Sequence, residues 1–177
     1  PEQRRRALSP EALPLREPET DREDWLFEVA VTPNRGDCLG LAGIAREVAA
    51  LTGGKLKALP TSTTKSDSSI KRRMALVIDD RRLCPRYSAR IVDEVNVAPA
   101  PAWLRYRLES CGIRSINNIV DITNYVMLET GQPLHAFDNN RLSGAIHVRH
   151  ARPGEEMLVL NEQTVKPPAD MLLIPDA

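Results

Sequence analysis

One stretch of thirteen residues, 61–73, contains almost nothing that a folded core could bury. Seven of these residues are Ser or Thr, four are Lys or Arg, and Ile70 is the one large apolar side chain. Such a composition buries too little apolar surface to offset the entropy lost on ordering. We therefore predict a linker at 61–73, which joins a lead-in strand and small helical module at 1–60 to a second module at 74–177.

Composition and charge exclude several classes of protein. The chain has 24 Lys and Arg against 24 Asp and Glu, so no long-range field draws it onto nucleic acid or an anionic membrane. No apolar run reaches the roughly 18 residues that a membrane span requires. The basic residues at 4–6 are not followed by the apolar stretch of a secretory signal. We expect a cytoplasmic protein.

The cysteines and histidines indicate neither a disulfide framework nor a metal site. Cys38, Cys84 and Cys111 are odd in number, widely spaced and without a CxxC pair, so we interpret them as reduced structural thiols. His147 and His150 are three residues apart around a predicted strand and would point to opposite faces. We therefore predict no metal.

In the first module the pattern predicts one strand and one helix. Residues 25–31 alternate in the manner of a half-buried strand. Asp37 is placed to cap the N-terminus of a helix that ends at Gly53. The apolar positions of this helix recur at helical spacing: Leu41, Ile44, Val48 and Leu51.

The second module mixes helices and strands without a regular repeat, which favours the α+β class. Pro101 fits the first turn of a helix that ends at Gly112 and carries Leu104, Leu108 and Cys111 on one face. A second helix is predicted over 116–130, with Gly131 as its stop. Predicted strands lie at 74–78, 87–95, 145–148, 156–160 and 171–174.

The second predicted helix is unusually polar. It carries Asn117, Asn118, Asp121, Thr123 and Asn124, and His135 follows it in a loop. Asn and Asp are weak helix formers, so this run needs an explanation in function or in buried hydrogen bonding. Two interpretations stay open: a pocket that includes His135, or side chains that satisfy the loop backbone.

A second polar cluster, 32–37, is interpreted as a turn with a local pair between Arg35 and Asp37. The basic residues of the linker lack interleaved aromatic side chains, so they offer no platform on which bases could stack. No dinucleotide, P-loop, zincin or hydrolase motif is found.

Both polar clusters belong to a longer series of motifs. Residues 31–39 are VTPNRGDCL and residues 43–47 are GIARE. The second module continues the series with CPRY at 84–87, PAWL at 101–104, INNIVDITNYVM at 116–127 and GQPLHAFD at 131–138. In order and spacing, this series resembles the beta chain of bacterial phenylalanyl-tRNA synthetase from about residue 10 to Ala177.

The resemblance implies a fold and a function. It implies a small winged-helix-like module linked to a mixed sheet-and-helix editing module. This module would hydrolyse tyrosine wrongly esterified to the phenylalanine tRNA, because an apolar pocket rejects a hydroxyl-sized difference weakly. By resemblance His135, Asn124 and Thr123 would line the editing site and hold the terminal ribose, the ester or the attacking water. His135 would be a base or an orienting group.

The resemblance also implies partners and cofactors. The alpha subunit and the phenylalanine tRNA are the expected partners, with no membrane and no DNA. ATP and magnesium are implied for the whole enzyme and none is expected in this chain, because the aminoacylation site of the family lies on the alpha chain.

The sequence departs from the family at a few positions. Ser115 stands where Pro is usual, Ala100 where Ser is common, and Asn161-Glu162 where Asp-Gly is usual. The family's editing module continues past the position of Ala177 into a Gly-rich loop and a strand with a hydroxyl-reading Glu. We therefore expect the 177-residue chain alone to be inactive.

Two alternative functions are retained. The chain would be a noncatalytic scaffold that contacts the alpha subunit and the tRNA, or its first module would bind DNA. The second alternative is disfavoured, because residues 1–73 contain 13 basic and 11 acidic side chains, a net charge of only +2.

Overall fold

The computed structural model describes residues 25–59, 73–159 and 163–176. Three helices, α1 (Leu41–Thr52), α2 (Ala102–Ser110) and α3 (Asn118–Thr130), occur with five short strands. The strands are β1 (Leu76–Ile78), β2 (Ile146–His150), β3 (Met157–Leu158), β4 (Thr164–Val165) and β5 (Leu172–Leu173). This mixture confirms the α+β class, and the winged-helix-like module stays a prediction. No helix in the described ranges has the length and apolarity to cross a bilayer.

The chain divides into two compact units. The helical unit comprises Pro1–Thr61 and Val95–Ala136, and the strand unit comprises Ser62–Glu94 and Phe137–Ala177. The helices α2 and α3 thus group with α1, although they follow the predicted linker in the sequence. Residues 60–72 lie outside the described ranges, so the linker itself stays a prediction.

The core of the helical unit is built on one face of α2. Leu104 and Leu108 are buried there, as their spacing predicted, together with Ala100. Cys111, which was expected on the same face, is exposed. The prediction was wrong because α2 ends at Ser110 and Cys111 is its C-cap, so the helical spacing no longer applies. Pro101 is likewise the N-cap of α2 and not a residue of its first turn.

Helix α3 begins and ends at residues suited to capping. The Asn117 side chain accepts hydrogen bonds from the backbone N–H groups of Ile119 and Val120, and each donor–acceptor distance is 3.0 Å. Because Asn117 itself is extended, the helix begins at Asn118 and not at 116 as predicted. Gly131, with φ of 77°, is the predicted stop.

Helix α1 confirms its predicted C-terminus and corrects its N-terminus. Gly53 is the C-cap, with φ of 68°. The N-cap is Gly40, whereas Asp37 lies in a short 3-10 turn, Gly36–Leu39. The prediction that Asp37 caps this helix was wrong because that turn separates it from Leu41, the first residue of α1.

The strand unit contains two small sheets. β1 pairs with β2 in parallel, with Leu76 opposite Ile146, and β2 pairs with β5 antiparallel. β3 and β4 form a separate antiparallel pair. Four of these strands overlap the ranges predicted from sequence. β4 was missed, because it consists of two exposed residues.

Two predicted strands are absent. Residues 25–31 and 87–95 have no regular secondary structure. Both predictions were wrong for one reason: a strand exists only within a ladder of backbone hydrogen bonds, and no described strand pairs with either segment. In the first of them, Phe27 and Val29 are exposed.

Candidate functional site

Several polar residues of α3 fix the helix in place. Asn118 donates from Nδ2 to the carbonyl oxygen of Asn96 over 2.9 Å, and its Oδ1 accepts from the backbone N–H of Ala98 over 3.2 Å. Together with the Asn117 cap, these bonds hold the segment before α2 against the first turn of α3. Asn118 therefore satisfies loop backbone, as the structural alternative predicted, whereas Asn117 satisfies N–H groups in the first turn of α3.

Asp121 has a similar role. It is completely buried, and its Oδ2 accepts a hydrogen bond from Ser115 Oγ over 2.5 Å. Its Oδ1 accepts from the backbone N–H of Ile116 over 2.9 Å. Both carboxylate oxygens are thus used inside the fold, and Asp121 has no face open to a substrate.

The three residues predicted as a site lie on α3 and in the segment after it. Thr123 and Asn124 are half-buried neighbours on α3, and His135 belongs to the exposed stretch 131–140. Thr123 Oγ1 donates its proton to the carbonyl oxygen of Val120 over 2.7 Å, which leaves its lone pairs able to accept. Within the described ranges, the side-chain amide of Asn124 makes no hydrogen bond. Their joint role as a site stays a prediction.

Arg35 organises the polar cluster before α1. Its Nε donates to Asp37 Oδ1 over 3.0 Å and its Nη2 to Asp37 Oδ2 over 2.9 Å, which confirms the predicted local pair. The same Nη2 lies 2.6 Å from Glu47 Oε1 on α1. Hydrogen bonds from Arg35 lower the pKa of Asp37 to about 2, and Asp37 in turn raises the pKa of Arg35. Sequence reasoning missed Glu47, because nothing in the local pattern links positions twelve residues apart.

The same cluster brings together atoms that could ligate a metal. Among the described residues, one group of this kind is found: ligand atoms of Asp37, Cys38 and Glu47 lie within 4.8 Å of one another. Arg35 Nη2 lies 3.2 Å from Cys38 Sγ, so a guanidinium already supplies positive charge there. Partial burial raises the pKa of the Cys38 thiol. Through Arg35 and Glu47 the cluster links the 3-10 turn to α1.

The strand unit contains a charged cavity that sequence reasoning missed. It has a volume of about 570 Å³ and is lined by Asp79, Asp80, Arg82, Arg149, His150 and Arg152. Parallel pairing of β1 with β2 brings these two short segments of sequence together. No local sequence pattern predicts that these two segments lie side by side.

Most of the charges in this cavity are compensated. Arg82 holds the pKa of Asp80 at about 2 through side-chain and backbone hydrogen bonds. Arg149 forms two hydrogen bonds with Glu155, over 2.9 and 2.7 Å. His150 Nδ1 is buried without a hydrogen-bond partner in the described ranges, while its Nε2 lies 3.8 Å from Asp80.

The two histidines of β2 have separate neighbours. His147 Nδ1 lies 4.0 Å from Asp79 Oδ1, whereas His150 faces Asp80. Residues three apart on a strand point to opposite faces, so each histidine meets a different carboxylate.

Comparison with known proteins identifies relatives along most of the chain. The chain is 57% identical to the phenylalanine–tRNA ligase beta subunit of Aromatoleum aromaticum over 155 residues, 87% of this chain and 19% of that protein. It is 54% identical to the corresponding subunit of Dechloromonas aromatica over 157 residues, 88% of this chain and 20% of that protein. The subunit of Syntrophus aciditrophicus is 45% identical over 173 residues, 96% of this chain and 22% of that protein.

The chain spans about a fifth of the length of these curated relatives. The resemblance to the beta chain of phenylalanyl-tRNA synthetase is thereby confirmed. The model of the B3/4 domain family matches residues 83–177, more than half of the chain. The chain therefore belongs to the B3/4 domain family.

Proposed function

We propose that the chain is part of the beta subunit of a phenylalanine–tRNA ligase and contributes to removing tyrosine wrongly attached to the phenylalanine tRNA. The observation that carries the proposal is the 57% identity to a phenylalanine–tRNA ligase beta subunit over 155 residues. The alpha subunit and the phenylalanine tRNA are the proposed partners, in the cytoplasm. ATP and magnesium would serve the charging reaction of the whole enzyme, and we assign no residue of this chain to either.

The proposed reaction is hydrolysis of an aminoacyl ester. A water oxygen attacks the carbonyl carbon of the tyrosyl ester, and the bond between that carbon and the ribose oxygen breaks. One proton leaves the water and one is taken up by the ribose oxygen, so the products are tyrosine and uncharged tRNA. Because the ester is already activated, positioning the water and stabilising the oxyanion suffice without a covalent nucleophile.

Three side chains are proposed to carry this chemistry. Thr123 and Asn124 are held on α3, whose first turn is fixed by Asn117 and by the buried Asp121. The side-chain amide of Asn124 has no hydrogen bond within the described ranges and Thr123 Oγ1 keeps its lone pairs, so both can contact the ribose or the ester. His135 would orient the water or accept its proton.

The experiment compares two reactions in the intact enzyme. We expect His135→Ala to slow deacylation of tyrosyl-tRNA for phenylalanine by about 10² to 10⁴. Phenylalanine charging should stay unchanged, because the two reactions use separate sites. His147→Ala is the control of the same residue type, located in the strand unit, and should leave both rates unchanged. Equal loss of both activities in His135→Ala would contradict the proposal.

A noncatalytic scaffold is the second candidate. It is favoured by the structural use of Asn117, Asn118 and Asp121, which leaves little of the polar run for a substrate. Under this alternative, His135→Ala would leave deacylation unchanged.

Within the catalytic proposal, the pH profile of the deacylation rate separates the two roles of His135, base and orienting group. Loss of a base removes the acidic limb of the profile, whereas loss of an orienting group lowers the rate uniformly at all pH values.

A further inference from the structure

Helix α2 has two sides of different composition. Its large aliphatic side chains, Leu104 and Leu108, are both buried in the core of the helical unit. Trp103, Tyr106 and Arg107 occupy positions i, i+3 and i+4, so they form one stripe along the helix. Trp103 and Arg107 are exposed, and Tyr106 is half-buried. We name these three residues the α2 platform.

The Trp103 ring is held in place from two directions. Tyr125 of α3 meets it edge-on, with the ring centroids 5.7 Å apart and an angle of 89° between the two planes. The guanidinium carbon of Arg107 lies over the Trp103 ring, 5.6 Å from its centroid, and Arg107 Nη1 donates to Tyr125 Oη over 3.0 Å. Trp103 is nevertheless 38% exposed. Because these side chains are already ordered, a ligand that docks on them causes little further loss of side-chain entropy.

The composition of the α2 platform indicates which ligand fits it. Residues 103–107, WLRYR, alternate aromatic and basic side chains around the buried Leu104, an interleaving that the predicted linker at 61–73 lacks. Unpaired RNA bases stack on aromatic rings and on guanidinium planes, whatever their sequence. The core of a protein–protein interface is more apolar than the rest of the surface, and the α2 platform includes no aliphatic side chain. The platform therefore suits a strand of unpaired nucleotides better than a protein.

The local charge also favours RNA. Residues 102–114 contain three arginines, Arg105, Arg107 and Arg114, against one carboxylate, Glu109, a net charge of +2 in a chain whose total is zero. Glu129 of α3 lies close to the platform, because its Oε1 accepts from Tyr125 Oη over 3.5 Å. Including Glu129, the balance is still positive by one charge. A phosphate backbone is attracted by such a local excess of guanidinium groups.

We propose that the α2 platform binds unpaired nucleotides of an RNA strand by stacking. The identity of this RNA rests on the proposed function, which makes it the phenylalanine tRNA. Tyr125, which supports Trp103, directly follows Asn124 on α3. Nucleotides next to a terminal ribose held at Asn124 can therefore reach Trp103. The platform orients the end of the tRNA, and the proposed editing residues act on its ester.

Photocrosslinking of the intact enzyme to uncharged phenylalanine tRNA tests the proposal. A benzophenone amino acid replaces Tyr106 in one sample and Tyr87, a half-buried tyrosine of the strand unit, in a control sample. We expect position 106 to crosslink to an unpaired segment of the tRNA and position 87 not to crosslink to it. A crosslink from position 106 to a protein subunit or to a base-paired stem, the absence of any crosslink, or equal tRNA crosslinking at both positions would overturn the proposal.

Affinity for the same tRNA gives a second readout, free of the bulky probe. Trp103→Ala should weaken binding about tenfold, the loss expected on removing one stacked base, whereas Trp103→Phe keeps a ring and should keep most of the affinity. Arg107→Gln should also weaken binding, and Arg46→Gln, a change of the same type at an exposed position of α1, should not. Unchanged binding by Trp103→Ala, or equal losses in Arg107→Gln and Arg46→Gln, would contradict the proposal.

These readouts separate the α2 platform from the proposed hydrolysis. If His135→Ala slows deacylation but Trp103→Ala binds the tRNA as tightly as wild type, the proposed function stands and the platform is refuted. If position 106 crosslinks to the tRNA but His135→Ala leaves deacylation unchanged, the platform stands and the catalytic proposal fails.

Discussion

Ser115 Oγ donates a hydrogen bond to Oδ2 of the completely buried Asp121 over 2.5 Å. The other carboxylate oxygen accepts from the backbone N–H of Ile116. The resemblance implied Pro at position 115, where this chain has Ser. Proline has no hydroxyl, so it could not donate this hydrogen bond to Asp121.

We predict that Ser115→Ala lowers the free energy of unfolding by about 1–3 kcal/mol, because it leaves one oxygen of a buried carboxylate without its partner. Ser143→Ala is the control, since Ser143 is exposed and its backbone N–H, not its hydroxyl, donates a hydrogen bond to Asp176 Oδ2. Urea unfolding of both variants measures the difference. A Ser115→Ala variant as stable as the control would show that the bond contributes nothing net.

The approach of Gly40 to Gly131 gives a second prediction. A Cβ at Gly40 would collide with backbone atoms of Gly131 and Thr130, which cannot move aside as a flexible side chain would. We expect Gly40→Ala to lower the free energy of unfolding by about 1–3 kcal/mol. Gly36→Ala is the matched control, because a Cβ there meets nothing within 4 Å. Equal stabilities of the two variants would contradict the close approach.

The helices were predictable from sequence because their signals are local. Gly53 and Gly131 both adopt the left-handed conformation of a C-cap, and Leu104 and Leu108 are buried as their spacing requires. Strands were less predictable, because alternation shows only that a segment suits a sheet. The segment 25–31 alternates as well as any in the chain and still has no described partner strand.

In the polar clusters, too, local contacts were predictable and contacts between distant segments were not. The pair of Arg35 and Asp37 was predictable, since the two residues are two apart. The contact of Arg35 with Glu47 and the cavity around His150 were not, because they depend on how distant segments pack. The polar run on α3 left a pocket around His135 as one of two interpretations, and only the resemblance gave Thr123, Asn124 and His135 an editing role.

Thr123 provides a test within the proposed site. Its hydroxyl proton is donated to the Val120 carbonyl oxygen, so the group offers a substrate an acceptor and not a donor. We predict that Thr123→Val slows tyrosyl-tRNA deacylation by the intact enzyme more than tenfold, whereas Thr123→Ser retains the rate. Thr52→Val is the control, because Thr52 donates to Val48 on α1 over the same 2.7 Å. If Thr123→Val and Thr52→Val deacylate equally fast, Thr123 has no part in the site.

The last prediction concerns acid stability of the strand unit. Hydrogen bonds from Arg149, and then from the backbone N–H of Arg152, lower the pKa of Glu155 from its ordinary 4.5 to about 2. A carboxyl group whose pKa is lower in the folded state binds its proton more readily when unfolded, so its contribution is fully present above pH 4.5. That contribution is lost as the pH falls from about 4.5 to about 2.

We therefore expect wild type to be more stable than Glu155→Gln at pH 7, and this difference in urea midpoint to shrink steadily between pH 4.5 and 2. Asp37 and Asp80 also have pKa values lowered to about 2, so both proteins lose stability in acid and only their difference reports on Glu155. Glu156→Gln is the control, because Glu156 is exposed and pairs with the exposed Lys166. A wild-type advantage that stays constant down to pH 2 would show that the pair of Arg149 and Glu155 does not depress this pKa.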